Sequence, residues 1–231
     1  MIAVERHASQ EQQAAVAERQ EGRLTLLIHE RRATPRFSSA AVRSDDLRQI
    51  LLAGLEAPSG YNLQPWRFVV VRDAEQRKRL RAAAMDQDKV EQAPVIIVAC
   101  ADSEAWPADL EESIRIGREH GFDDEAQIEA KRKRVREYLE GLSDLGVWLT
   151  RQTMIAATTM MWVAEVLGYD TAPMEGFCEE QVREELAIPQ RVRVIFLLAV
   201  GRLEGEDKKY PGRFAPSRTV FAERYGEPLG I

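Results

Sequence analysis

The chain has 231 residues, 45% apolar and 30% charged, a balance that suits one globular domain or two small ones rather than a disordered segment. Its 32 Lys and Arg against 38 Asp and Glu leave a net charge of −6, which excludes an indiscriminate nucleic-acid binder, since that role needs surplus cations to neutralise phosphates. Two cysteines, Cys100 and Cys178, neither build a disulfide framework nor close a zinc site alone, and they point to a reducing cytoplasm.

Residues Met1 to Gln20 are polar and lack the apolar core of a secretory signal. Ser9 to Glu30 is rich in Gln, Glu, Ala and Leu and reads as a helical extension over residues 1–30, with Leu24, Leu27 and Ile28 spaced to seat its second half on a core. Pro35 and the Ser38-Ser39 pair break that pattern. The next helix spans Asp45 to Ala57, with Ser44 as N-cap and Leu47, Ile50, Leu51 and Leu55 as its buried face. Pro58-Ser59-Gly60 ends it, and Arg67 to Val71 reads as a strand. Asp73, with Gln76 three residues on, opens a helix through Met85.

Val95 to Cys100 is a β-branched apolar run, hence a buried strand. Asp109 to Tyr138 reads as two charged helices broken near Gly121, within a variable helical lid over residues 103–146. Trp148 to Leu167 is the most apolar helix, stopped by Gly168. Its stretch from Gln152 to Ala164 carries no charge but falls short of the ~20 residues that span a bilayer, so it predicts buried or subunit-facing helix rather than membrane. Glu179 to Ala187 is a short helix and Arg193 to Val200 a central strand. Residues 202–231, with Pro211, Pro216 and Pro228, form an extended arm. Few strands among many helices predict one α+β domain over residues 31–201, a modest sheet flanked by helices.

The sequence holds no phosphate-binding Gly-x-x-x-x-Gly-Lys motif, no Gly-x-Gly-x-x-Gly fingerprint and no Gly-x-Ser-x-Gly elbow. His7, His29 and His120 fall in no metal-ligand spacing and read as surface histidines. Three segments stand out. Arg31-Arg32-Ala33-Thr34-Pro35-Arg36-Phe37 gathers guanidiniums, whose forks suit phosphate oxygens, although a solvated patch offsetting a helix dipole gives the same pattern. Ala57-Pro58-Ser59-Gly60-Tyr61-Asn62-Leu63-Gln64-Pro65-Trp66 is a rigid polar loop able to read a flat heterocycle, or simply a connector. Pro173-Met174-Glu175-Gly176-Phe177 places a glycine where backbone amides could meet an acceptor atom, or only ends a loop.

In that order, from about Arg31 to about Val220, the three segments resemble the nitroreductase family of FMN-dependent oxidoreductases. The resemblance implies an α+β three-layer sandwich with a mostly antiparallel sheet, in an intertwined homodimer with two FMN sites at the subunit interface. It implies that Arg31, Arg32, Ala33 and Arg36 contact the FMN phosphate and ribityl chain, joined by Arg213 from an arm that reaches the partner subunit. It implies further that Pro58, Ser59, Gly60 and Asn62 line the isoalloxazine from the other subunit, that Pro173, Met174, Glu175 and Gly176 cover the ring near its reactive nitrogen, and that Gln152 adds a polar contact. Gln87 and Lys89, in a segment without a clear match, receive no cofactor role. The activity implied is hydride transfer from NAD(P)H to a nitroaromatic, quinone or similar small acceptor by two-step exchange, with the flavin rather than a protein nucleophile or metal carrying the chemistry. Reductive dehalogenation, flavin breakdown, or FMN binding without turnover are the alternatives on the same scaffold.

Overall fold

Four strands form one antiparallel sheet in the order β1-β2-β4-β3. They are β1 (Trp66–Val71), β2 (Val95–Asp102), β3 (Asp170–Met174) and β4 (Val192–Gly201). The structure is a computed structural model that describes residues 24–231. Most of the N-terminal extension, and His7 with it, lies outside the described residues. Register runs Trp66 opposite Ala101, Val95 opposite Val200, and Asp170 opposite Gly201, with an irregularity between Ala99 and Cys100. The two central strands, β2 and β4, are almost wholly buried, as their unbroken apolar runs require.

Alternation of side chains along β2 and β4 makes three layers. Ile96, Val98, Leu197 and Ala199 face α3 (Ala74–Ala83) and α8 (Glu179–Leu186) through Leu80, Ala83 and Val182. Ile97, Ala99, Phe196 and Leu198 face α2 (Ser44–Leu55) and α7 (Leu145–Val166) through Ile50, Ala157 and Met160. A third cluster lies at one end of the sheet, where α5 (Trp106–Glu119) and α6 (Ile128–Glu140) pack Leu110, Ile114 and Val135 against Trp148 and Leu149. The expected break between these helices is real, and Gly121 holds φ 68° there.

Local chemistry sets the ends of the helices. The Asp73 carboxylate accepts from the Gln76 N–H at 2.8 Å, capping α3 as its sequence predicts. Asp144 caps α7 by accepting from Val147 N–H at 3.1 Å, so that helix starts three residues before Trp148. Gly168, at φ 78°, ends the helix in the left-handed region. The chain then buries Tyr169, whose hydroxyl donates to the Asp46 carboxylate at 2.6 Å and ties α7 to α2. Ser44 is not the N-cap of α2. Arg43 occupies that position without a side-chain cap, and Asp45 and Asp46 in the first turn favour the helix start instead.

Two further expectations need correction. In helix α1, described over residues 24–30, Leu24 and Ile28 are about half exposed, and only Leu27 is half-buried. The chain leaves that helix to bridge Ala33 to Thr171, which points the remaining leucines outward. Second, residues 170–174 form a strand where the sequence pattern predicts a loop. Pro173 conceals it, yet β3 is an edge strand, where a missing N–H costs least. A short helix, α4 (Asp88–Gln92), also escapes the pattern. The arm is irregular apart from α9 (Pro216–Thr219).

Candidate functional site

The start of β3 holds a cluster of cations. The Ala33–Thr171 bridge and the bond from Thr34 N–H to Thr171 O at 3.1 Å lay the arginine segment against this strand. The Arg31 guanidinium donates to Arg32 O, and Arg32 donates to His29 O and Arg31 O. The Arg32 and Arg213 guanidiniums both stack on Tyr210, at 4.7 and 5.4 Å from its centroid, so the arm folds back onto the segment. Arg36 is exposed and lies against Gly205. Among the described residues none of Arg31, Arg32, Arg36 or Arg213 is in an ion pair, and the buried Arg32 Nε has no hydrogen-bond partner.

Lys89, to which the sequence pattern assigns no role, belongs to the same region. Burial lowers its pKa, and the like charge of Lys208 lowers it further. It too has no ion pair among the described residues. Converging cations with no ion pair among the described residues favour an anion, because like charges brought together repel until one binds. Tyr210 is the other residue missed. Its signal was an aromatic ring set between Lys209 and Arg213 in an otherwise proline-rich arm.

At the other end of β3 lies the Pro173–Gly176 turn. Its residues do not contribute alike. The Met174 side chain is buried in the core and offers only its backbone, whereas Glu175 is exposed. Phe177 N–H donates to Glu175 O at 3.1 Å, closing a tight turn centred on Gly176. The Gly176 N–H has no acceptor among the described residues. From Thr171 to Met174 the strand runs about 10 Å at ~3.3 Å per residue before the turn begins, so β3 joins the cationic end to the end that carries the free Gly176 donor.

Pro58, Ser59, Gly60 and Asn62 lie elsewhere, in the loop that feeds β1. This loop is rigid through its own bonds. Gln64 N–H donates to Ser59 Oγ at 3.0 Å, Asn62 N–H to Ser59 O at 3.0 Å, and Gly60 N–H to Gln152 Oε1 at 2.8 Å. Gln152 therefore holds the loop on α7. Ser113 Oγ donates to Tyr61 O at 3.2 Å. Tyr61, Asn62 and Gln64 all take positive φ, between 46° and 58°, a strain that persists only where surroundings over-determine it. Pro58 and Asn62 are exposed. Trp148 is buried and backs the loop at Gly60. A cleft of about 500 Å³ opens between this loop and the α5–α6 region, lined by Ser59, Tyr61, Asn62, Phe122, Lys131 and Arg134. Lys131 is neutralised by Asp123 at 2.7 Å, which leaves Arg134 as the cleft's unpaired cation among the described residues.

The two groups do not meet in one chain. β1 and β3 are opposite edges of the sheet, three strand spacings or about 14 Å apart, and the loop joins β1 at the end remote from the arginine segment. Apolar surface is left uncovered between elements as well. Ile155, Thr159, Trp162 and Val166 line one side of α7 at helical spacing, beside Leu52 and Leu55 of α2. No helix among the described residues is long and apolar enough to cross a membrane.

Residues 28–202 match the sequence pattern of the nitroreductase family. A protein named NADH dehydrogenase from Thermus thermophilus is 37% identical over 194 residues, 84% of this chain and 92% of that one. Among solved structures, a nitroreductase-like protein from Streptococcus mutans superposes with a TM-score of 0.80 at 26% identity, covering 88% of this chain and 100% of the other. A nitroreductase-type protein from Exiguobacterium sibiricum, solved in complex with FMN, gives 0.78 at 24% identity over 87% and 97%.

Proposed function

The chain belongs to the nitroreductase family, and we propose that it works as an FMN-dependent NAD(P)H oxidoreductase whose site is completed by a second copy of itself. The observation that carries the cofactor reading is the cationic cluster at the start of β3, with the orphaned Arg32 Nε and the uncompensated Lys89. The residues present fit FMN. Arg31, Arg32, Arg36, Lys89 and Arg213 would hold its phosphate end, and the Pro173–Gly176 turn would face its ring with a backbone donor. FMN, when bound, supplies chemistry that accepts a hydride from NAD(P)H and returns it to an acceptor. The chain binds, orients and shields, and offers amide and cationic donors fixed in advance.

The second copy follows from the separation of the two groups. Pro58, Ser59, Gly60 and Asn62 serve a ring held by another protomer, and the uncovered stripe on α7 and α2 is the contact surface. The arm over residues 202–231, with Phe214, Tyr225 and Ile231 exposed, reaches across to that partner. The α5–α6 region and the loop form the wall for a flat acceptor, a nitroaromatic or quinone, between Tyr61 and Phe122. A cytoplasmic location belongs to the same reading, supported by two cysteines that are both unpaired.

Purified chain supplied with FMN, NADH or NADPH and a quinone tests all of this at once. The expected result is a yellow dimer with one FMN per subunit that oxidises the nicotinamide over many turnovers only when acceptor is present. A protein that takes up FMN yet never oxidises either nicotinamide is a flavin carrier and defeats the reading.

A further inference from the structure

The α3–α4 turn grips the Gly176 turn from behind. Gln87 Nε2 donates to Gly176 O at 2.8 Å and to Ala84 O at 3.0 Å, so both amide hydrogens have acceptors. Cys178 N–H donates to Ala83 O at 2.8 Å, a second tie between the same two turns. A side chain added at Gly176 would meet Gln87 Nε2 and Met85 Sδ, each at 3.4 Å, so these two groups close one side of the glycine.

The geometry that delivers Gln87 is costly. Met85 and Asp86 take consecutive left-handed angles, φ 55° and 52°, a region that aspartate tolerates but that costs a long apolar side chain such as Met85. Asp86 N–H donates to Arg81 O at 3.1 Å, and the Arg81 guanidinium pairs with Asp88 at 3.0 Å and Glu91 at 3.1 Å, locking the reversal in place. The fold accepts this left-handed pair to set one amide against one carbonyl. That carbonyl belongs to the Gly176–Phe177 peptide, whose N–H is already held by Glu175 O. With both ends of the peptide fixed, the adjoining Gly176 N–H has one direction.

We propose that Gln87 is a positioning residue, whose side-chain amide holds the Gly176 carbonyl and thereby aims the Gly176 N–H at the ring of bound flavin. The proposal rests on the FMN reading above. It assigns Gln87 no contact with flavin or substrate. Its effect passes through the turn, so losing its donor changes what happens to bound flavin more than how much flavin binds.

Gln87→Met keeps length and volume but has no donor, and Gln87→Glu keeps shape but sets an oxygen against the Gly176 carbonyl. Three quantities are measured on each: FMN affinity, the rate of flavin reduction by saturating NADPH per bound flavin, and amide hydrogen exchange at residues 175–178 in the flavin-free chain. The expected result is FMN affinity within about threefold of the parent, a reduction rate lower by about tenfold for Gln87→Met, the worth of one lost hydrogen bond, and more for Gln87→Glu. Exchange at Phe177 should quicken in both before any flavin is added. An unchanged rate per bound flavin in both variants overturns the proposal, as does unchanged exchange at Phe177. A parent chain that binds no FMN overturns the cofactor reading instead.

Discussion

At the β3 edge the chain gathers cations whose hydrogen bonds run mainly to nearby backbone carbonyls, and one buried guanidinium nitrogen has no partner at all. At the β1 edge it does the opposite. The Ser59–Gln64 loop is closed by its own bonds and by Gln152, and three strained residues are held in place by Trp148 and Ser113. On the proposed reading the first region is completed by what it binds, whereas the second is already closed by its own hydrogen bonds. Substitutions in the cationic half should therefore change affinity, and those in the loop should change orientation and stability.

The sharpest way to break this contrast is to remove the arm after Leu203. That deletes Lys208, Tyr210 and Arg213 from the cationic half and leaves every bond of the loop in place. FMN affinity should fall by well over tenfold, since the Arg213 contact of about 1.5–3 kcal/mol disappears together with the Tyr210 ring on which Arg32 stacks, and the dimer should dissociate on size-exclusion chromatography. A truncated chain that stays dimeric and yellow would place the cationic site elsewhere.

Arg32→Ala is the single-residue form of the same test. A charge-assisted bond to phosphate contributes about 1.5–3 kcal/mol, so FMN affinity should weaken about tenfold or more by fluorescence titration. Arg72→Ala, at an exposed residue after β1, should change affinity less than twofold. Equal losses from both would reduce the cluster to a solvated basic face.

In the loop, Gln152→Met removes the acceptor of the Gly60 N–H. Leaving that amide unpaired costs about 1–2 kcal/mol, seen as a lower denaturation midpoint. FMN affinity should move by less than threefold while turnover falls, the reverse of Arg32→Ala. Loss of affinity without loss of stability would show that Gln152 acts on the ligand directly.

How far the sequence carried depends on the range of each interaction. α3 was legible because Asp73 and Gln76 are three residues apart and their bond is local. β2 and β4 were legible because central strands are apolar on both faces. β3 was not, since Pro173 argues against a strand, and only its pairing with β4 shows that it stands at an edge. The same limit governs the site. The Arg31–Arg36 and Ser59–Asn62 segments were visible as runs of donors. Lys89 and Gln87 were not, because the groups that reveal them, the like charge of Lys208 and the Gly176 carbonyl, lie far along the chain. Ser44 misled because an acidic first turn substituted for a side-chain cap.

The smallest expected effect concerns Glu165, at the end of α7 beside the cationic half. Burial raises its carboxyl from an ordinary 4.5 to about 7, helped by the charges of Asp170 and Asp207 and opposed by the Thr171 hydroxyl and by Arg31. Folded chain thus keeps a proton that unfolded chain loses near pH 4.3, and the native state binds more protons throughout that interval. Stability must therefore decline as pH rises from about 4.5 to about 7, then level off with the carboxylate ionised and partly buried. Glu165→Gln is neutral at every pH and keeps an acceptor for the Thr171 hydroxyl. It should match the parent near pH 4.5 and exceed it by ~1–2 kcal/mol at pH 8, a figure reduced for the solvent that still reaches this group. At this chain length that is a rise of about 3–6 °C in the midpoint of the flavin-free protein. Thermal melts of both chains at pH 4.5 and 8 decide it. A constant difference between them would mean that Glu165 stays ionised across the range, with Arg31 as its real counter-ion. The cationic half would then carry one free charge fewer than its geometry indicates.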